Sequence, residues 1–365
     1  MKILLLSTHF NTGGITSYLM SLSRGLIQRG HKVFLVSAGG NCESVFKNIG
    51  GNHLDLGFRT KSEADLRIYL NLRRWKNFIE QEDIDVIHAQ TRITQVMGHL
   101  LSLLTRRPLI TTCHGFFRPH LFRRLFPCWG DAVIAISQPV RDHLKNDFHV
   151  KDQRIHVVAN GLDMKAFPLA TQMLRIQKRK QWDIKAHKVI GIIARLSDVK
   201  GIDVLLKSMP LVIKQFPNVL LMIVGEGDQQ DKLLALSEKL NLNEHVRFEN
   251  IVNQTADILP VFDLFVMPSR QEGLGLSVME AQACGLPVIA SKVGGLVDLI
   301  EEGKTGYLVP PQDQNALSLK IIEVLSNQSE AQGVGLAARE SIAKRFSLEQ
   351  MVSATQKVYE KYISR

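Results

Sequence analysis

Residues 269–291 read SRQEGLGLSVMEAQACGLPVIAS. The apolar run at 264–269 predicts a strand, and Gly273 and Gly275 predict a tight loop after it. The residues that follow predict a helix of about two turns that stops at Gly285. A glycine loop that opens a helix leaves backbone N–H groups free at the positive end of the helix dipole, so the stretch predicts an anion site.

Two glutamates, Glu272 and Glu280, flank this loop. A phosphate would repel a carboxylate, whereas neutral hydroxyl groups donate to it. We therefore expect Glu272 to hold a sugar and Glu280 to hold a ribose, with a diphosphate between them. A second interpretation stays open, because Ser277 and Glu280 also match a capping box, in which Glu280 serves the helix alone.

Short apolar runs alternate with amphipathic stretches along the chain, which is typical of β-α-β units and parallel sheets. The predicted strands are 2–8, 32–38, 86–89, 109–114, 132–137 and 155–160 in the first half, and 188–195, 219–226, 246–250, 264–269, 287–291 and 306–310 in the second. The pattern predicts two doubly wound Rossmann-like domains, 1–168 and 183–346, separated within 165–187, with a last helix in 347–365 that packs back on the first. Such sheets bind ligands at the carboxyl ends of their strands, so we expect a cleft between two facing domains.

The composition is that of an ordinary globular protein, with 45% hydrophobic and 22% charged residues in 365. The first residues, MKILLLST, predict a buried strand and not a signal peptide. No apolar run has the length of a membrane span. The four cysteines are scattered without metal-binding spacing, and we expect a reduced cytoplasmic location.

The net positive charge of the chain comes from its first half. Residues 1–182 carry 26 Lys+Arg against 13 Asp+Glu, a balance of +13, and the remaining 19 against 22 give −3. Aromatic and basic residues are interleaved at 113–130 and 66–78, as in segments that lie in a membrane interface. An ordinary amphipathic helix is the alternative. No nucleic-acid-binding motif accompanies the charge, so we expect no nucleic-acid partner.

Further polar residues follow other predicted strands. Arg195 and Lys200 lie on the loop after 188–195, where two cations could neutralise a diphosphate leaving group. Gly13 and Gly14 allow close approach of a ligand to the backbone. His114 could bond a substrate hydroxyl or the scissile oxygen. Each of these residues has a structural alternative. Arg195 and Lys200 could be solvated surface charges, Gly13 and Gly14 could mark a helix start that needs space, and His114 could be a structural histidine.

Together these motifs resemble the retaining, GT-B-fold glycosyltransferases of the "glycosyl transferases group 1" type. The most specific motif is the E-x7-E pair of Glu272 and Glu280, supported by ARLSDVKG (194–201), VGEG (224–227) and GKTGYLVPPQD (303–313). The resemblance covers nearly the whole chain. It implies hexosyl transfer from a nucleotide-diphosphate-sugar to a glycan or lipid-linked acceptor, as in cell-envelope polysaccharide or lipopolysaccharide synthesis.

The resemblance also implies roles for individual residues. Arg195 and Lys200 would bind the diphosphate, Glu272 the transferred sugar and Glu280 the ribose, while His114 would contact the donor sugar. The substrate-binding residues implied besides these are Gly13, Gly14, Gly273, Leu274, Gly275, Leu276, Glu226, Asn250 and Ile251. Ala194 and Asn250 stand where the family commonly has glycine, which leaves the base open.

The family requires no metal and no cofactor, and the basic first domain would receive the acceptor, with peripheral attachment to an anionic membrane face. Two alternatives remain: a nucleotide-sugar epimerase of the same fold, which needs no acceptor surface, and a non-catalytic nucleotide-sugar-binding protein. A basic nucleic-acid binder would instead show binding that depends steeply on salt.

Overall fold

The computed structural model describes residues 1–60, 62–63, 65–119, 123, 126–252 and 254–364. The chain divides into two units. Unit 1 comprises Met1–Gly161 together with the chain from Leu348 onward, and unit 2 comprises Leu162–Ser347. Each unit contains one parallel sheet covered by helices, so the predicted pair of Rossmann-like α/β domains is confirmed.

Unit 1 has seven parallel strands in the order β3-β2-β1-β4-β5-β6-β7. Their bounds are β1 Lys2–Leu6, β2 Lys32–Ser37, β3 Asn52–Asp55, β4 Val86–Ala89, β5 Leu109–Cys113, β6 Ala132–Ala135 and β7 Ile155–Val157. The sequence analysis missed β3. This strand has the sequence NHLD, lies at the sheet edge with no fully buried residue, and pairs only with β2, so it shows no apolar run.

The helices of unit 1 are Gly14–Gln28, Glu43–Asn48, Leu66–Leu70, Leu72–Gln81, Arg92–Thr105, Gln138–Phe148 and Leu348–Ile363. The last helix packs against the first, where Val352 fills the space beside Gly25. Its Tyr359 hydroxyl lies 2.6 Å from Nδ1 of His88 on β4. No described helix is long and apolar enough to cross a bilayer.

Unit 2 has six parallel strands in the order β10-β9-β8-β11-β12-β13. Their bounds are β8 Lys188–Ile193, β9 Val219–Val224, β10 Val246–Glu249, β11 Leu264–Met267, β12 Val288–Ser291 and β13 Tyr307–Val309. The helices are Gln172–Gln181, Ile202–Gln215, Gln230–Lys239, Leu276–Ala283, Leu296–Leu299, Gln314–Ser326 and Gln328–Arg345.

The stretch 165–187, expected to separate the domains, contains a helix of unit 2. Arg175 and Arg179 on this helix each lie 2.6 Å from a different carboxylate oxygen of Asp263. The same carboxylate accepts the backbone N–H of Val189 at the start of β8. Because this largely buried ion-pair cluster fixes the helix to the sheet, unit 2 begins at 162 instead of the predicted 183.

The loops at the carboxyl ends of neighbouring strands in unit 2 touch backbone to backbone. Gly201 has φ +65°, and a Cβ added to it would lie 2.0 Å from the carbonyl oxygen of Pro268, which follows β11. A Cβ on Gly227, after β9, would lie 2.1 Å from the carbonyl oxygen of Leu196, after β8. The short turn Asp198–Lys200 is therefore held against its neighbour by a contact that admits no side chain.

We predict that Gly201→Ala destabilises unit 2 by at least about 2 kcal/mol more than Gly303→Ala does. Gly303 is the matched control, since its φ is +71° and nothing lies within 4 Å of an added Cβ. Both variants pay the left-handed strain of about 1 kcal/mol, but only Gly201→Ala adds the clash. Urea unfolding followed by circular dichroism measures the difference, and equal losses would contradict the steric argument.

Candidate active site

Most of the predicted site residues of unit 2 lie at one edge of its sheet. The strands β10, β9, β8 and β11 are consecutive neighbours, and because they are parallel their carboxyl ends share that edge. The loops after these strands carry six of the predicted residues: Asn250 and Ile251 after β10, Glu226 after β9, Arg195 and Lys200 after β8, and Glu272 after β11.

Lys200 and Glu272 form an ion pair, with Nζ of Lys200 2.6 Å from Oε2 of Glu272. Both side chains are largely buried, so the pair is stronger than an exposed one. The Ser269 hydroxyl donates to the same carboxylate oxygen at 3.3 Å. Two residues 72 positions apart in the sequence thus meet at the ends of adjacent strands.

A second ion pair holds the two loops in register. Both terminal nitrogens of Arg270 contact the carboxylate of Asp203, at 2.8 and 2.9 Å. The Arg270 guanidinium also donates to the backbone carbonyl of Asp198 at 2.7 Å, and its backbone N–H donates to Val199 at 2.8 Å. Arg270 therefore clamps the turn that carries Lys200 onto the loop that carries Glu272.

Arg195 differs from Lys200. Its side chain is exposed, and among the described residues it has no ion pair. Its backbone carbonyl accepts the N–H of Ser197 at 2.8 Å, which turns the chain toward Lys200. The edge of the sheet thus offers one cation that is already paired with a carboxylate and one that is open to an incoming anion.

Glu280 has no part in a capping box, so that interpretation is wrong. The helix Leu276–Ala283 is preceded by Gly275 with φ 101°, and no side chain caps it. The Thr255 hydroxyl donates to Oε2 of Glu280 at 2.9 Å. Burial is the main cause that raises the pKa of Glu280 to about 7, and the hydrogen bond from Thr255 opposes it. The Glu280 carboxylate thus contacts Thr255, outside its own helix, and does not cap that helix.

The helix that follows the glycine loop starts without a side-chain cap. Leu274 and Gly275 are buried, and Leu276 is the first residue of the helix. The carbonyl of Glu272 accepts the N–H of Gly295 at 3.0 Å, and a Cβ on Gly295 would lie 2.3 Å from the carbonyl oxygen of Gly273. Gly295 thus packs against the glycine loop and fixes it. The uncapped N–H groups at the start of the helix remain available to an anion.

Three of the residues implied in substrate binding lie on the surface. Glu226, Asn250 and Ile251 are exposed, and Ile251 is 44% exposed although it is apolar. The backbone carbonyl of Glu249 accepts the N–H of Gly225 at 2.9 Å, which joins the loop after β9 to the end of β10. An exposed apolar side chain beside polar ones can pack against a flat ring, but these residues do not select a base by themselves.

The remaining predicted residues lie in unit 1. Gly13 precedes the helix Gly14–Gln28, which no side chain caps. His114 directly follows β5, and its Nε2 lies 2.9 Å from Oε1 of Gln90. Tyr18 on that first helix packs its ring edge to face against His114, with centroids 5.0 Å apart. Burial lowers the pKa of His114 to about 3, so its ring is neutral at physiological pH.

Two further basic residues of unit 1, His88 and Arg123, serve the fold. His88 is completely buried between Tyr359 and Thr112, with hydrogen bonds of 2.6 and 2.7 Å. Arg123, expected at a membrane surface, is only 4% exposed. Its guanidinium stacks 4.2 Å from the Phe117 ring centroid and also faces the rings of Trp129 and Phe148. The expectation for Arg123 is therefore wrong, because aromatic stacking draws it inward.

The other residues of the segment 113–130, which was expected at a membrane, differ in burial. Arg118 and Phe126 are exposed, Phe116 and Phe117 are half-buried, and Trp129 is buried. Leu121, Phe122, Arg124 and Leu125 lie outside the described residues.

Sequence reasoning missed the partners that orient the site residues. Thr255, Ser269 and Gln90 are ordinary polar residues in loops, and no spacing marks them. Gln90 alone carried a signal, since it follows a predicted strand as the other candidates do. In the part of the chain that the structure describes, no three His, Cys, Asp or Glu side chains converge as a metal site.

Comparison with known families and relatives gives a consistent result. The model described as "Glycosyl transferases group 1" matches residues 175–341, and "Glycosyltransferase Family 4" matches 12–166. A GDP-mannose-dependent alpha-(1-6)-phosphatidylinositol monomannoside mannosyltransferase of Mycolicibacterium smegmatis is 32% identical over 285 residues, covering 73% of this chain and 74% of that protein. An N-acetyl-alpha-D-glucosaminyl L-malate synthase of Bacillus anthracis is 25% identical, covering 96% and 94%.

A solved structure agrees in fold. The Anabaena protein HepE, in complex with UDP and glucose, superposes with a TM-score of 0.86 at 22% identity and covers 100% of both chains. Two parallel-sheet domains, the strand-end arrangement and these similarities together lead to one conclusion. The chain belongs to the glycosyl transferases group 1 family and has the GT-B fold.

Proposed function

We propose that this glycosyltransferase moves a hexosyl group, with retention of anomeric configuration and without a metal ion, from a nucleotide-diphosphate-sugar to a glycan or lipid-linked acceptor. The single observation that carries the proposal is the ion pair of Lys200 and Glu272 beside the open cation Arg195. A departing diphosphate gains negative charge as the bond to the sugar breaks, and preorganised cations stabilise that charge.

The ion pair suggests how the donor is received. In the free protein Glu272 neutralises Lys200, so the two groups are held in place at 2.6 Å. A diphosphate would take over the ammonium group of Lys200, and the carboxylate of Glu272 would then accept hydrogen bonds from sugar hydroxyls. Breaking the ion pair costs little free energy only if the diphosphate and the sugar are both present to replace it. The site therefore favours the intact nucleotide sugar over the free nucleotide.

Lys200→Ala and Arg195→Ala should each lower turnover about 100-fold or more, because each removes one preorganised positive charge from the leaving group. Lys214→Ala is the control, since Lys214 is an exposed lysine in the last turn of the helix that follows Lys200. Circular dichroism checks that the variants fold. Turnover at the wild-type rate in either site variant would exclude the diphosphate role.

The two glutamates should respond in opposite directions to the loss of their charge. Glu272→Gln should tighten binding of the free nucleoside diphosphate, since Lys200 loses its internal partner, yet it should impair sugar transfer. Glu280→Gln should weaken binding of the same nucleotide, because a neutral amide is a poorer acceptor for ribose hydroxyls. Calorimetry with the diphosphate alone measures both. Equal effects would return Glu280 to a structural role.

The raised pKa of Glu280, about 7, adds a pH dependence to the same experiment. Below that pH the folded protein holds the protonated carboxyl, whereas ribose hydroxyls prefer the ionised form. Affinity for the nucleotide should therefore rise with pH between about 5 and 7 in the wild type. The phosphate ionises in this window too, so the difference between wild type and Glu280→Gln isolates the carboxyl.

The donor is identified by a thermal-shift panel of UDP-, GDP- and ADP-sugars, since a ligand that binds only the native state raises its stability. Nuclear magnetic resonance of the product then reports whether the anomeric configuration is retained. An epimerase would change the sugar without any acceptor. A non-catalytic binding protein would be stabilised by the nucleotide sugar but would not turn it over. The four charged residues Arg195, Lys200, Glu272 and Glu280 argue against this alternative.

The acceptor proposal rests on unit 1, which holds most of the positive charge. Its helix Leu66–Leu70 exposes Leu66 by 74%, Tyr69 by 44% and Leu70 by 78%. Arg73, which follows on the next helix, is exposed and has no ion pair among the described residues. Apolar and basic side chains together suit reversible contact with an anionic bilayer. The M. smegmatis relative is likewise named as a phosphatidylinositol monomannoside mannosyltransferase.

A double change of Leu70→Ser with Arg73→Ser should abolish most cosedimentation with anionic vesicles, because it removes apolar burial and a charge worth about 1 kcal/mol at such a surface. Leu319→Ser is the control, since this leucine is 65% exposed in unit 2, on a helix that carries Glu323. Binding that survives the double change, or that ignores lipid charge, would favour a water-soluble acceptor.

A further inference from the structure

His114 of unit 1 is oriented by Gln90, a residue that belongs to none of the sequence motifs. Gln90 directly follows β4, and His114 directly follows β5, its parallel neighbour. Gln90 is 2% exposed, and its backbone N–H donates to the carbonyl of Leu6 at 3.0 Å. Its Oε1 lies 2.9 Å from Nε2 of His114. The contact therefore joins two rigid strand ends.

This contact determines where the imidazole proton lies. An amide oxygen only accepts hydrogen bonds, so Nε2 of His114 must carry the hydrogen. The ring is neutral because burial lowers the pKa of His114 to about 3, and a neutral imidazole has one N–H. Nδ1 is left with a lone pair. Among the described residues it has no hydrogen-bond partner, and His114 as a whole is half-buried.

The ring cannot easily turn over. Tyr18 packs against it with an interplanar angle of 74°. The Tyr18 hydroxyl lies 3.4 Å from Oγ1 of Thr112, which lies 2.7 Å from Nε2 of His88. Of the titratable groups around His114, Tyr18 contacts its ring, Cys113 precedes it in the chain and His88 interacts with its charge. Burial keeps all three uncharged, because it raises the pKa of Tyr18 and of Cys113 to about 12 and lowers that of His88 to about 3.

We propose that Gln90 is a positioning residue that holds His114 in its Nε2–H tautomer, so that Nδ1 accepts a hydrogen bond from a hydroxyl group of the substrate. In this tautomer Nδ1 is a hydrogen-bond acceptor and carries no proton to donate. The contact between Nδ1 and the substrate rests on the proposed function. The tautomer of His114 rests only on its hydrogen bond with Gln90.

The first experiment uses the full-length protein without ligand. Nitrogen-15 labelling of histidine shows which ring nitrogen of His114 carries hydrogen, with His114→Gln used to assign the signals. The wild type should show Nε2–H alone. Gln90→Leu should give a mixture of the two tautomers, whereas Gln90→Glu should keep Nε2–H because a carboxylate accepts as well.

Gln95→Leu is the matched control, since Gln95 is also a buried glutamine of unit 1 but makes no hydrogen bond to His114. It should leave the His114 signals unchanged. An Nδ1–H wild type, which corresponds to the opposite orientation of the Gln90 amide, would overturn the proposal. So would Gln90→Leu with the wild-type tautomer.

The second experiment separates this inference from the proposed function. With the nucleotide sugar selected by the thermal-shift panel, Gln90→Leu should raise KM about tenfold, and the Kd of the free nucleoside diphosphate should stay the same. Gln90→Glu should restore KM to within a few-fold of wild type. A tautomer change with an unaltered KM would refute the substrate contact, and absence of transfer by the wild type would instead refute the proposed function.

Discussion

The ion pair between Lys200 and Glu272 is the interaction on which the rest of the candidate site depends. A largely buried lysine or glutamate is costly alone, and the two together are stable only if their loops hold them with high precision. The loop packing at Gly201 and the clamp formed by Arg270 provide that precision. Parallel neighbouring strands provide the common edge.

The same requirement explains the difference between the two glutamates. Glu272 has a cation within reach, whereas Glu280 has only the hydroxyl of Thr255, and burial raises its pKa to about 7. One carboxylate is therefore held by a lysine, while the other gains its charge most easily when a ligand supplies hydrogen-bond donors. Two identical side chains eight positions apart thus have different chemistry because their surroundings differ.

Unit 1 shows the same principle with neutral groups. Its polar residues Tyr18, His88, Thr112 and His114 are connected by hydrogen bonds and ring contacts, and burial keeps the titratable ones uncharged. Arg123 is drawn into an aromatic cluster in the same unit, away from the surface where its charge alone would place it. Charge counted along the sequence therefore overstated what this segment offers to a membrane.

The sequence by itself determined the two parallel-sheet domains and the position of most strands, because buried parallel strands are continuous apolar runs with helical periodicity between them. It also placed the candidate residues at strand ends. It missed β3, whose polar edge sequence has no such run, and it placed the start of unit 2 too late, because Asp263 joins Arg175 and Arg179 from distant parts of the chain. The ion pair of Lys200, the partner of Glu280 and the glutamine beside His114 were decided by tertiary structure alone. Each joins residues far apart in sequence, and no local pattern encodes a contact that forms only when separate strands align at one edge of a sheet.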